Sequence, residues 1–137
     1  MTTNFTLEEF TYSRTAIEHA INNQPGDREK ENLKKLAVCL LQPLRDKLNG
    51  PIVILSGFRN RELNVLVGGV PGSQHCKGEA ADCYCEKGPE HLLATLKKSG
   101  LYFDQAIVYR HKKFLHLSYR EGSNRKQILY RWIRKEI

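Results

Sequence analysis

The chain has 137 residues and a formal net charge of +7, and its composition is 40% hydrophobic and 27% charged. These values fit one globular domain over residues 1–137 and exclude a second hydrophobic core. No apolar run approaches the roughly 20 residues of a membrane span, and the N-terminal segment MTTNFTLEEF lacks the features of a secretory signal peptide. We therefore expect a monomer that is cytoplasmic as synthesised and does not bind membranes.

The first half of the chain is predicted to be mainly helical. TLEE (6–9) has the pattern of a capping box and predicts a short helix. Leucines at helical spacing between residues 33 and 48 predict a long amphipathic helix, with Asp27 as its N-cap and Gly50 as its stop. PIVILSGF (51–58) is rich in β-branched residues and predicts a buried strand.

The second half of the chain is predicted to contain helices and strands without the regular alternation of βαβ units. The predicted elements are a brief helix over 59–67, a strand over 79–85, a helix from Pro89 to Gly100, and a hairpin of strands 103–109 and 113–120. The basic C-terminal segment NRKQILYRWIRKEI is interpreted as a solvated tail. Together these elements predict an α+β fold in which a small antiparallel sheet packs against helices.

Four cysteines raise the question of a structural site. Cys39 lies in an apolar helical stretch and is interpreted as a core residue. A structural zinc bound by Cys76, Cys83 and Cys85 with His75 is one alternative, but the sequence contains no Cys-x-x-Cys pair. A cytoplasmic origin argues against a framework of disulfides.

A second candidate metal site uses two histidines and an aspartate. His75 lies in a loop beside Gly78, Asp82 follows on a predicted strand, and His116 lies on a strand far downstream. If the two strands are neighbours, Asp82 and His116 converge and the loop brings His75 to them. Such a ligand set suits a hydrolytic zinc site, which needs three protein ligands and one position open for water. The alternative for His116 is a hydrogen-bonded core histidine.

One stretch of ten residues carries a family resemblance. SQHCKGEAAD (73–82) matches the pattern S-x-H-x-x-G-x-A-x-D at every specified place. This pattern resembles that of the zinc-dependent D-Ala-D-Ala carboxypeptidase family, the M15 peptidases, whose fold is related to the Hedgehog signalling domain. SGFRN (56–60), FDQAI (103–107) and FLHLSYR (114–120) are similar to further stretches of that family and occur in the same order. The chain most resembles the short, single-domain branch found in bacteria and their phages.

The resemblance implies a Hedgehog/DD-peptidase-like fold and a zinc ion bound by His75, Asp82 and His116. It also implies that Arg59 contacts the terminal carboxylate or carbonyl of a peptide that ends in D-Ala. A guanidinium group suits this role because its planar fork donates two parallel hydrogen bonds to a carboxylate. The alternative for Arg59 is a surface salt bridge.

Two further residues are candidates for substrate binding. Ser73 either donates a hydrogen bond to the same carboxylate or braces its loop through a backbone hydrogen bond. Gln105 lies on the FDQAI strand and is expected to line the cleft, although a glutamine on a strand is equally often a solvated residue. The site residues expected from the sequence are therefore three metal ligands and three substrate-binding residues.

The chain departs from the family pattern at the catalytic base. The family normally carries an acidic base three positions before the last ligand, where this chain has Lys113. In the related branch a Glu sometimes follows the FDQ strand, where this chain has Tyr109. A general base contributes roughly 10²–10⁴ in rate, so the identity of the catalytic residue stays open. The candidate replacements are Tyr109, His111, Glu79, Asp104 and Glu121, with Glu79 disfavoured because strand alternation points it away from Asp82.

Two functions are consistent with the sequence. The first is a zinc metallopeptidase that hydrolyses peptidoglycan peptides, as a D,D-carboxypeptidase or an endolysin-like endopeptidase that acts at the cell wall after release. The second is a catalytically impaired zinc domain that binds wall peptides or a protein partner. The positive charge suits an anionic polymer, but the sequence has no recognisable nucleic-acid motif, so we do not expect nucleic acid to be the ligand.

Overall fold

The computed structural model describes residues 1–132, which form a five-stranded sheet and a set of helices that share one hydrophobic core. The helices are α1 (Leu7–Thr11), α2 (Arg14–Glu18), α3 (Asp27–Leu36), α4 (Gln42–Leu48), α5 (Arg61–Leu66) and α6 (Pro89–Ser99). The strands are β1 (Val53–Ser56), β2 (Ala80–Tyr84), β3 (Gln105–Arg110), β4 (Leu115–Ser118) and β5 (Gln127–Trp132). Within this part of the chain, no helix has both the length and the apolar character that crossing a bilayer requires.

The strand order in the sheet is β1-β2-β4-β3-β5. The first four strands pair antiparallel, as expected, and the α+β class is confirmed. The sheet is mixed, however, because β5 pairs parallel with β3. The interpretation of the C-terminal segment as a solvated tail is therefore wrong for residues 127–132. The strand pattern of this segment was missed because basic residues surround it, although Ile128 of the strand packs against the core.

The predicted long helix is a continuous rod from Asp27 to Leu48, in which a π-helical segment (Ala37–Leu41) joins α3 to α4. Its apolar face supplies the centre of the core, since five of its leucines are fully buried: Leu33, Leu36, Leu40, Leu41 and Leu44. The N-cap is Gly26 rather than Asp27, and the side chain of Glu29 accepts its backbone N–H at 3.0 Å. The helix stops one residue before the predicted Gly50, at Asn49, which adopts a left-handed conformation that Asn tolerates.

The two edge strands of the sheet are β1 and β5. The prediction of a buried strand over 51–58 is therefore wrong for β1. Val53 and Leu55 are 48% and 52% exposed, because β1 has a partner on one side only and one face to the solvent. The capping box at Thr6 is confirmed, since its side chain and that of Glu9 each accept the other residue's backbone N–H. The predicted helix that ends at Gly100 is also confirmed.

Candidate metal centre

Three elements bring His75, Asp82 and His116 together. Asp82 and His116 are direct cross-strand partners in β2 and β4, so their side chains project from the same face of the sheet. His75 lies in a 3₁₀ turn (Gln74–Lys77) that immediately precedes β2. One potential ligand atom from each residue lies within 4.8 Å of the other two. The convergence expected from the sequence is therefore present.

The three side chains contact one another at the floor of the site. Asp82 Oδ1 lies 3.1 Å from His116 Nδ1 and 3.4 Å from His75 Nε2. The two imidazole rings meet edge to face, with their centroids 5.1 Å apart. The other ring nitrogen of His75, Nδ1, lies 2.7 Å from the backbone carbonyl of Gly57. A proton on Nδ1 donates to that carbonyl, so the lone pair of Nε2 faces the cluster.

The surroundings of the cluster favour a neutral His75 and an ionised Asp82. Burial lowers the pKa of His75, and the attraction of Asp82 offsets this only in part. Burial alone would raise the pKa of Asp82, but the adjacent His75 and His116 hold it well below its usual range. Neutral imidazole and ionised carboxylate are the forms in which these side chains bind metals. His75 and Asp82 are therefore in their ligating forms near neutral pH.

The donor set fits a zinc ion. Two imidazole nitrogens and one carboxylate oxygen are a combination that catalytic zinc sites use, and the outer hydrogen bond from His75 to Gly57 is typical of metal-bound histidine. The alternative cysteine site is not formed: among residues 1–132, no cysteine joins a group of three potential ligands. The buried thiols of Cys83 and Cys85 lie against backbone carbonyls instead.

The turn that carries His75 is fixed at both ends. Ser73 caps it, because its hydroxyl oxygen accepts the backbone N–H of His75 at 3.1 Å. This is the bracing role considered for Ser73, and the residue also lines the cleft. At the other end Gly78 has φ +74°, and a Cβ there would lie 2.5 Å from the carbonyl oxygen of Glu29 in α3. The His75 turn therefore packs directly against the long helix.

Replacing Gly78 by Ala is expected to lower the free energy of unfolding by about 3 kcal/mol, because it combines left-handed strain with the collision with Glu29. Gly72 is a matched control, since it has the same φ of +74° but open space around it. Gly72→Ala should cost only the strain, about 1 kcal/mol. Denaturant unfolding of both variants measures the difference. Equal losses would show that the close approach to α3 has no energetic weight.

An open cleft of about 680 Å³ lies above the cluster, and Arg59 lines it. The backbone N–H of Arg59 donates to the carbonyl of His75 at 3.2 Å, which ties the two residues together. Burial lowers the pKa of Arg59, although nearby Asp82 opposes this. Its buried Nε has no hydrogen-bond partner within residues 1–132, and no acidic side chain there forms an ion pair with it. Arg59 is therefore a partly buried donor in the cleft wall rather than a member of a surface salt bridge.

Gln105 also lines the cleft, as expected. It lies at the start of β3, and its Nε2 donates to Oε1 of Gln127 in β5 at 2.8 Å. The contact belongs to the β3–β5 pairing, so Gln105 is oriented by a strand that the sequence did not predict.

Three of the five candidate bases are excluded by their surroundings. His111 lies outside the cleft, with its ring 5.0 Å from that of Trp132. Glu121 forms an ion pair with Lys35 at 3.1 Å, away from the cluster. Asp104 is fully buried, and its carboxylate is saturated by hydrogen bonds. None of these side chains is placed to take a proton from a reacting water.

Two candidates remain in the cleft. Glu79 lines it, which corrects the expectation from alternation, because Glu79 precedes β2 and does not follow its pleat. Its carboxylate lies 3.8 Å from Arg120 and 3.4 Å from the Gln74 amide. Tyr109 lines the cleft with its ring 6.5 Å from that of His116, and burial raises the pKa of its phenol. Tyr109 therefore occupies the wall of the cleft beside the cluster, as a neutral donor.

An ion pair between buried Asp104 and exposed Arg125, which the sequence did not reveal, is connected to the His75 turn through Gln74. Asp104 accepts hydrogen bonds from Nε and Nη2 of Arg125, each at 2.9 Å, and from Nε2 of Gln74 at 3.0 Å. Gln74 directly precedes His75, so the Asp104–Arg125 pair connects the His75 turn to the segment before β5. No sequence motif links Asp104, which follows Phe103, to Arg125, so their contact could not be predicted.

Arg125→Gln is expected to lower the melting temperature at pH 7, and this loss is expected to shrink progressively as the pH falls below about 3.9. The hydrogen bonds from Arg125 hold the pKa of Asp104 below its usual value. A lowered pKa in the folded state stabilises the fold above the unfolded value of about 3.9, and this stabilisation is lost as the pH falls through the folded pKa. Thermal unfolding across this range checks the prediction. A difference between variant and native protein that stays constant with pH would contradict it.

Comparison with known proteins bears on the chemistry of this cluster. No curated protein matches the chain. The family model described as Peptidase M15 matches residues 3–118, a span that includes Arg59 and all three members of the His75–Asp82–His116 cluster and ends before β5. This span is most of the chain, and M15 peptidases are metallopeptidases. The chain therefore belongs to the peptidase M15 family.

Proposed function

We propose that the protein is a zinc-dependent peptidase that cleaves peptidoglycan peptides, as a D,D-carboxypeptidase or an endolysin-like endopeptidase. The observation that carries this proposal is the buried His75–Asp82–His116 cluster at the floor of an open cleft that also contains Arg59. Membership of the M15 family supports the peptidase chemistry. The choice of a peptide that ends in D-Ala rests on the sequence resemblance.

In this proposal His75, Asp82 and His116 hold the zinc ion, and a bound zinc ion supplies Lewis acidity that polarises a carbonyl and acidifies water. The carbonyl of Gly57 keeps the His75 ring oriented with Nε2 towards the cluster. The guanidinium of Arg59 binds the terminal carboxylate of the substrate and thereby fixes the position of the scissile bond. Because the cluster and Arg59 are largely shielded from solvent, the attraction between zinc and its ligands and that between Arg59 and the substrate carboxylate are stronger than they would be in water.

A second candidate function is peptide binding without turnover. The observation that favours it is the composition of the cleft, in which Glu79 and Asp82 are the acidic residues among the described lining residues. Asp82 belongs to the cluster, and Glu79 lies beside Arg120. A cleft of this kind binds a peptide through zinc and Arg59 but has no free carboxylate to accept a proton.

Incubation of the zinc-loaded protein with a synthetic pentapeptide that ends in D-Ala-D-Ala, and with purified muropeptides, separates the two functions. Peptidase activity predicts release of free D-Ala or of a new amino terminus, loss of that activity on chelation, and recovery on addition of zinc. The binding function predicts that the same pentapeptide binds to the zinc-loaded protein and remains intact. If the protein neither binds nor cleaves either substrate, both functions are rejected.

A further inference from the structure

We propose that the cleft contains a second anion-binding subsite, formed by Arg131 on β5. The substrate class that it selects is a peptide with a free carboxylate on the N-terminal side of the cleaved bond, in addition to the terminal carboxylate held by Arg59. This inference rests on the proposed function, because it assigns a second contact to the same peptide.

The position of Arg131 follows from the pairing of β5 with β3. Arg131 is the direct cross-strand neighbour of Tyr109, so the two side chains project from the same face of the sheet. Both line the cleft. The family match ends at residue 118, so β5 and Arg131 lie outside the matched span. Arg131 is thus an addition to the cleft wall that the shared motif residues do not account for.

The charge of the cleft favours an anionic ligand with more than one acidic group. The basic residues that line it are Arg59, Lys77, Arg120, Arg125 and Arg131. Arg120 lies beside Glu79, and Arg125 pairs with Asp104. Arg131 is exposed, and within residues 1–132 no acidic side chain forms an ion pair with it. Its charge is therefore available to a ligand.

Arg59 and Arg131 are the lining arginines without an ion pair among residues 1–132, and the strand order places them on opposite sides of the His75–Asp82–His116 cluster. Arg59 follows β1, the cluster spans β2 and β4, and Arg131 lies on β5 at the far edge. The backbones of His116 and Arg131 are separated by two strand spacings, about 10 Å, and by two positions along the strands, which gives about 12 Å in total. An extended peptide advances roughly 3.3–3.6 Å per residue, so three to four residues cover the backbone separation, and three suffice with the length of the arginine side chain. A substrate whose C-terminus contacts Arg59 would place a carboxylate near Arg131 about three residues before the cleaved bond.

The test uses two synthetic pentapeptides that end in D-Ala-D-Ala and differ only at the third residue before the cleaved bond. One carries a free carboxylate there, and the other carries the corresponding carboxamide. The zinc-loaded native protein should bind the carboxylate peptide about tenfold more tightly, as measured by calorimetry at low salt. Arg131→Gln should remove this preference, and Arg131→Lys should retain part of it, because Lys keeps the charge but not the planar fork.

Arg110→Gln is the matched control. Arg110 precedes the turn after β3 and stacks over the rings of Tyr130 and Trp132, outside the set of residues that line the cleft. The same loss of charge there should leave the preference for the carboxylate peptide intact. Equal binding of the two peptides by the native protein, or an unchanged preference in Arg131→Gln, overturns the inference.

Binding and cleavage report on different proposals. Preferential binding of the carboxylate peptide without cleavage supports the Arg131 subsite and rejects the hydrolytic function. Cleavage of both peptides with equal affinity supports the hydrolytic function and rejects the subsite. A short single-stranded DNA that competes with both peptides equally, and that loses affinity equally in Arg131→Gln and Arg110→Gln, would mean that the arginines act as a general basic surface, which also overturns the inference.

Discussion

Replacing Asp82 by Asn is expected to lower the zinc affinity of the protein by more than 100-fold. Asp82 provides the only carboxylate of the cluster, and its Oδ1 lies within 3.4 Å of a nitrogen of each histidine. Loss of an outer hydrogen-bond partner typically costs 10–100-fold in metal affinity. Loss of a ligand that also supplies the negative charge should cost more.

Competition with a chromophoric chelator measures the zinc affinity of Asp82→Asn directly. Asp46→Asn is a suitable control, because Asp46 is exposed in α4 and its substitution changes the charge equally. The control should bind zinc as the native protein does. Melting temperatures of the metal-free proteins show whether Asp82→Asn still folds. An Asp82→Asn variant that folds and binds zinc with native affinity would mean that the ion binds elsewhere.

Replacing Tyr109 by Glu is expected to raise kcat on a peptide that ends in D-Ala by about 10²–10⁴, the usual contribution of a positioned general base. The Tyr109 ring lies on the cleft wall, 6.5 Å from the ring of His116. A carboxylate at this position would lie beside the cluster and accept a proton from the attacking water. The native protein has Tyr109 instead of such a group, so its turnover should be slow.

Two control variants define what the Tyr109→Glu result means. Lys113→Glu tests the other position at which the family pattern expects an acid, and no gain is expected because Lys113 is exposed and does not line the cleft. Tyr109→Phe keeps the ring and removes the hydroxyl, so it should produce no gain. Steady-state kinetics on the same peptide compares all four proteins. If kcat increases in Lys113→Glu but not in Tyr109→Glu, the position suited to a general base is that of Lys113, and the prediction for Tyr109 is wrong.

The sequence predicted the candidate site better than it predicted the edges of the fold. The convergence of His75, Asp82 and His116 was expected from the motif on the condition that their two strands are neighbours, and the structure shows that pairing. The edge strands were misread because their signals conflict. β1 is rich in β-branched residues but has a solvent-facing side, and β5 has a strand pattern, QILYRW, inside a strongly basic segment.

The contacts that depend on tertiary structure could not be predicted from the sequence. The orientation of Glu79 into the cleft depends on the point at which β2 begins, and alternation is informative only within a strand. The pairing of Asp104 with Arg125 joins residues 21 positions apart without a motif. The His75–Gly57 hydrogen bond likewise requires knowledge of how the turn meets the end of β1.

The most direct test is the anomalous scattering of a crystal grown with zinc and measured on both sides of the zinc absorption edge. We predict one strong peak within about 2.0–2.2 Å of a nitrogen of His75, an oxygen of Asp82 and a nitrogen of His116, with Tyr109 and Arg59 on the walls above it. A peak bound by other residues, or no peak at this cluster in a crystal grown with excess zinc, would contradict the account.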